Sequence, residues 1–200
     1  MINLYSLFHL NSSFSSIETN DLPKIVDNCY WPLLNLIDRE NLCLNIEGTG
    51  STLKDIYKID KLWISKLKEL LKNKKCEFIG SGYRQIISPL IPYDMNLFNI
   101  RKGDLIYKDL INVKPKIAYV NEQTYSKSLI NIYKKNLYKA LIIDWNNSYS
   151  ANPNWKNHMQ YYPQIAIDDY NNSIDIIWNN SINFQKFQRF IYGEINKKEF

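Results

Sequence analysis

Lys116-Ile-Ala-Tyr-Val-Asn-Glu122-Gln-Thr-Tyr125 is a short apolar run that stops at a carboxylate, after which the pattern turns polar and helical. In sheets built from βα units, the carboxyl ends of parallel strands face the ligand cleft. A Glu there has no packing reason, so it invites a chemical one. The same habit recurs along the chain. His9 closes the first apolar run, Glu47 closes the second, Glu77 lies in the third, and Trp145 follows the fifth. Polar and aromatic groups at successive strand ends point to a carbohydrate site in an α/β barrel.

Working outward, apolar runs at 2–10, 41–46, 76–79, 117–121 and 140–145 read as strands, with late strands expected at 164–167 and 174–178. Helices are expected between them: 21–37 with an interruption near Pro32, 52–59, 60–71, 95–110, 124–135 and 181–191. Residues 146–160 read as a long polar and aromatic loop. Strands alternating with helices predict a mainly parallel sheet. The strand count falls short of eight, so the expected class is α/β, a distorted and incomplete (β/α)7-type barrel. No internal repeat or linker divides residues 1–200, and a single domain is expected.

The composition narrows the function. The chain has 200 residues, enough for one sizeable core, with 45% hydrophobic and 22% charged residues. Net charge is +5, but the basic runs at 72–75, 134–135 and 197–198 each sit by a helix end. Lysines there complement the helix dipole, so no nucleic-acid face is expected. Cys29, Cys43 and Cys76 form no CxxC and have no His at zinc spacing, and their apolar contexts read as reduced core residues. The amino terminus lacks a signal-peptide pattern, and no apolar run reaches the ~18–20 residues that cross a bilayer. A cytoplasmic protein that does not enter membranes is the expectation.

Each candidate carries two readings. Glu122 is either a nucleophile or general base fixed by a strand end, or a first-turn Glu favoured by a helix dipole. Glu47, in Ile46-Glu47-Gly48-Thr49-Gly50, either accepts sugar hydroxyls or is a turn residue beside glycines. Glu77 either faces the barrel mouth or pairs with a Lys or Arg. His9 is a ligand-binding or a structural histidine. Tyr83 and Trp145 either stack on apolar sugar faces or pack in the core. Nucleotide-binding and serine-hydrolase signatures are absent. Two histidines are too few for a confident metal centre.

The order His9, Glu47-Gly-Thr-Gly, Glu77-Phe-Ile-Gly-Ser-Gly-Tyr83, Pro89-Leu-Ile-Pro92 and Tyr-Val-Asn-Glu122 resembles the amino-terminal part of glycoside hydrolase family 57. The resemblance covers roughly residues 1–145 and continues more weakly to 190. It implies a (β/α)7 barrel that acts on an α-linked glucan by a retaining mechanism, as hydrolase or glucanotransferase, with no cofactor. It implies that Glu122 is the nucleophile and that His9 is the family's first-strand His; with them, Glu47, Glu77, Tyr83 and Trp145 are the expected substrate-binding residues. Two departures stand out: His9-Leu10-Asn11 replaces His-Gln-Pro, and Gln85 replaces a His after the third strand. Asp144, Asp168, Asp169 and Asp175 are present, but none has the context of the family's acid/base. The chain therefore resembles a shortened or partial relative, with the acid expected outside it. A non-catalytic carbohydrate-binding relative and a metal-dependent polysaccharide deacetylase are the rival readings.

Overall fold

The computed structural model describes residues 6–13, 18–40, 42 and 44–199. Seven strands form one sheet: β1 Leu7–Leu10, β2 Leu44–Gly48, β3 Cys76–Gly80, β4 Ile117–Tyr119, β5 Ala140–Asp144, β6 Gln164–Ile167 and β7 Ser173–Asn179. Their order is β1-β2-β3-β4-β5-β7-β6. Every pairing is parallel except β6 with β7, which is antiparallel. Among the described residues β1 and β6 do not pair, so the sheet stays open. This is the expected distorted, incomplete α/β barrel. The expected first strand began at residue 2, and residues 1–5 lie outside the described part.

The helices are α1 Leu22–Ile25, α2 Trp31–Glu40, α3 Gly50–Ile59, α4 Lys61–Lys72, α5 Tyr93–Ile111, α6 Leu129–Lys135, α7 Trp145–Ser150 and α8 Ser181–Ile191. The interruption expected near Pro32 is a π-turn over Val26–Tyr30, which joins α1 to α2. Proline brings no N–H and crowds the preceding turn, and a widened turn accommodates it. Asp60 starts α4 by accepting from Leu62 N at 2.8 Å and Trp63 N at 3.2 Å. The Asp60 carboxylate also accepts from Trp31 Nε1 at 2.7 Å, tying α4 to α2.

The core has two halves. One packs β2 and β3 against the helices through Leu34, Leu53, Trp63, Leu67 and Phe78. The other packs β4, β5 and β7 through Ala118, Val120, Ile130, Leu141 and Ile176. Helix α5 reaches both, through Tyr107 and Ile100 respectively. Cys76 is buried as expected, whereas Cys29 is exposed and is not a core residue. Cys43 lies outside the described residues. No helix among them is long and apolar enough to cross a membrane.

Candidate active site at the carboxyl ends of the strands

The register of β1 on β2 sets His9 directly beside Glu47. Glu47 is fully buried, at 0% exposure. A buried carboxylate is costly unless it is paired. His9 Nδ1 supplies the pair by donating to Glu47 Oε2. Glu47 Oε1 is buried with no hydrogen-bond partner among the described residues. Burial of His9 works against its protonation. The bond to Glu47 and the charges of Glu47 and Glu122 outweigh that, and its pKa is raised above 6.5. The His9 side chain is still 35% exposed, so the pair stands at a mouth.

Two further groups meet His9. Gln85 Nε2 lies 3.0 Å from His9 Nε2. The Tyr119 ring lies 6.0 Å from the imidazole, centroid to centroid. Burial, then the charges of Glu47, Glu122 and Asp144, push the Tyr119 hydroxyl up to about 12, against a smaller opposing effect of Gln123. Tyr119 therefore stays a neutral phenol amid carboxylates.

Glu122 sits in the turn Asn121–Gln123, at the end of β4. Its backbone is left-handed, with φ 54° and ψ 14°. Gln123 follows with φ 52°. Two successive non-glycine residues in this region are strained and must be held by their surroundings. Asn121 provides one hold by donating through Nδ2 to Ser81 O at 2.8 Å. The Gln123 amide provides another, through Nε2 to Val120 O at 3.1 Å. Both bonds leave an amide oxygen, Asn121 Oδ1 and Gln123 Oε1, buried without a partner among the described residues. The Glu122 side chain itself is exposed, within electrostatic reach of His9.

The turn after β3 is built as firmly. Buried Tyr107 receives Ser81 N at 3.1 Å and offers its hydroxyl proton to Gly82 O at 2.7 Å or Gly48 O at 3.0 Å. That joins the ends of β2 and β3. Gly82 has φ +83°, a conformation glycine adopts without strain. A groove of about 510 Å³ opens beside these ends, lined by Ser12, Asp55, Lys58 and Arg84 among others.

Three expected binding residues are not brought to this group. Glu77 is exposed near the opposite, amino-terminal end of β3, level with Asn45. Tyr83 is half-buried, with Lys102 Nζ 4.0 Å from its ring centre and Ser51 N donating to its carbonyl at 2.9 Å. It packs over α3 and α5. Trp145 is 2% exposed. It stacks on Tyr149 at 5.1 Å and meets Trp178 edge-on at 5.2 Å, with Trp155 at 5.9 Å. These contacts are the core-packing alternative for Trp145, whereas Tyr83 lies half-buried under Lys102.

Three of the four aspartates are held by partners, and the fourth lies exposed on β7. Asp144 accepts from Asn147 N at 2.8 Å and Ser181 N at 3.1 Å, starting α7 and holding α8. Asp168 accepts from Tyr170 N, Asn172 N and Asn172 Nδ2 within the β6–β7 turn. Asp169 pairs with Lys127 at 2.5 Å, and Asp175 is exposed on β7. Among the described residues no three His, Cys, Asp or Glu side chains gather as metal ligands would. Sequence reading missed Tyr119, Asn121 and Gln123 as neighbours of the site. Tyr119 and Asn121 alternate with buried Ala118 and Val120, and that period of two is the signal that could have found them.

A model of glycosyl hydrolase family 57 matches residues 8–181. No curated protein matches the chain. Among solved structures it is similar to a 4-alpha-glucanotransferase from Thermococcus litoralis, at TM-score 0.80 and 15% identity over 94% of this chain and 28% of that one. It is similar to the alpha-amylase AmyC from Thermotoga maritima, at TM-score 0.69 and 13% identity over 89% of this chain and 45% of that one. A branching enzyme from Pyrococcus horikoshii follows at TM-score 0.62 and 14% identity, over 88% and 46%. The chain thus spans less than half the length of each. At these identities the likeness is one of fold.

Proposed function

The chain belongs to glycosyl hydrolase family 57, and we propose that it forms a carbohydrate-active domain that binds an α-linked glucan or oligosaccharide at the strand ends. Glu122 is the nucleophile of this reading. The observation that carries it is the strained left-handed backbone, which holds an exposed carboxylate within electrostatic reach of the His9–Glu47 pair. Strain at two adjacent residues, held by flanking side-chain bonds, fits a group kept in place for chemistry. In a retaining mechanism its carboxylate would attack the anomeric carbon and form a glycosyl-enzyme. His9 and Tyr119 would meet sugar hydroxyls, with buried Glu47 holding the His9 ring from behind.

A second reading has its own support. Retaining chemistry also needs an acid to protonate the leaving oxygen. Asp144 and Asp168 are occupied by backbone amides, and Asp169 by Lys127. That favours a chain that binds sugar without turning it over alone.

Titration of ¹⁵N-labelled protein with a maltooligosaccharide tests the shared core of both readings. Shifts are expected at His9, Tyr119, Asn121 and Glu122. Shifts confined to other faces, or none at millimolar sugar, would remove the carbohydrate reading.

A further inference from the structure

Among the described residues, Gln85 is the polar side chain set against the outer nitrogen of His9. Glu47 can only accept, so His9 Nδ1 must carry the proton between them. Neutral His9 then has a bare Nε2, and the Gln85 amide nitrogen 3.0 Å away donates to it. Once His9 is a cation, Nε2 carries a proton as well, and two donors would face each other. The other end of the carboxamide, Gln85 Oε1, is buried with no partner among the described residues. Half a turn of the amide exchanges its nitrogen and oxygen and leaves one unpartnered atom either way. Among the described residues no further bond fixes the orientation.

We propose that Gln85 is a positioning residue for the His9–Glu47 pair, donating to neutral His9 and turning over to accept from it when it is a cation. The imidazole ring is then clamped at both nitrogens in either protonation state. The charged groups facing it are Glu47 from β2 and Glu122 from the turn after β4, with the neutral phenol of Tyr119 beside them. The neighbouring Arg84 guanidinium turns away, toward Ser13 Oγ at 3.3 Å and the Tyr83 ring. The clamp keeps a cation available between two carboxylates without a change in ring position. Its consequence for sugar binding rests on the reading above, but the clamp itself does not.

The test uses the full chain without sugar, so that failure of the carbohydrate reading cannot be mistaken for failure of this one. Long-range ¹H–¹⁵N spectra report the tautomer and titration of His9, and His158→Gln removes the one other histidine signal. Neutral His9 should be the Nδ1–H tautomer, and the Gln85 side-chain NH₂ signals should move with the His9 midpoint. Gln85→Glu, a fixed acceptor, should raise that midpoint by about one pH unit, and Gln85→Leu should lower it by roughly half a unit. An Nε2–H tautomer, static Gln85 amide signals, or an unmoved midpoint in both variants would overturn the proposal. The first two readings need only the wild-type side chain at 85, so they decide the matter even if the variants fail to fold.

Discussion

Glu122 holds its carboxylate on a backbone that turns left-handed at two adjacent non-glycine residues. An L-residue costs about 1 kcal/mol there, and glycine avoids that cost. Glu122→Gly should therefore leave stability unchanged or raise it by up to about 1 kcal/mol while removing any covalent chemistry. Thermal or denaturant unfolding reads this, and clear destabilisation would show that the side chain serves the fold. His9 gives a pH signature. Its native pKa is raised, so the folded chain holds that proton more tightly than the unfolded one. That stabilisation is complete below 6.5 and is lost as pH rises through the native value. Denaturation midpoints measured across the neutral range should fall with rising pH, and His9→Gln should flatten the fall. A slope unchanged in His9→Gln would contradict the assignment. Position 122 was legible because a carboxylate ends an apolar run. The burial of Glu47 was not, since nothing in Ile46-Glu47-Gly48 announces that His9 comes to meet it across thirty-eight positions.

At the scale of elements, the close approach of α5 to the turn after β3 sets the site's floor. A Cβ on Gly103 would stand 2.5 Å from the Gly82 carbonyl carbon and 2.8 Å from its Cα. These are backbone atoms, so Gly103→Ala must push the helix off the turn. We expect a loss of about 1–3 kcal/mol, measured by denaturant unfolding. A neutral result would mean that the turn is free to move. Asp144→Ala should cost about 1–2 kcal/mol, because it strips the cap from α7 and leaves Ser181 N unpaired. Strands were readable from their apolar runs. The helix expected from 124 begins instead at Leu129, because left-handed residues and the bond from Thr124 N to Asn121 O close a turn first. The short α7 was read as loop, since its cap, Asp144, doubles as the last residue of β5. The helix expected at 181–191 is capped by Asn180, whose side chain accepts from Asn183 N.

For the whole molecule, the open seven-stranded sheet was legible because strand and helix periods alternate along the chain. The antiparallel pairing of β6 on β7 follows from the short turn at 168–172, too brief for a helical crossover. The site was legible in part. His9, Glu47 and Glu122 converge as their strand-end positions implied, whereas Glu77, Tyr83 and Trp145 do not join them. Alternation along a strand cannot say which end of the sheet a mid-strand Glu occupies, nor whether an aromatic ring meets solvent or three other rings. With Asp144, Asp168 and Asp169 engaged elsewhere and Asp175 exposed on β7, the 200-residue chain should show little or no hydrolysis of an unactivated α-glucan. Robust turnover in a reducing-sugar assay would mean that an acid has been overlooked.

The nucleophile can be tested without that acid. Fluoride leaves an anomeric carbon without being protonated, so 5-fluoro-α-D-glucosyl fluoride asks only whether a carboxylate attacks. Intact-mass and peptide mass spectrometry after incubation should find one added fluoroglucosyl group, carried by Glu122 and absent from Glu122→Gln. No adduct, or one on any other carboxylate, would contradict the account.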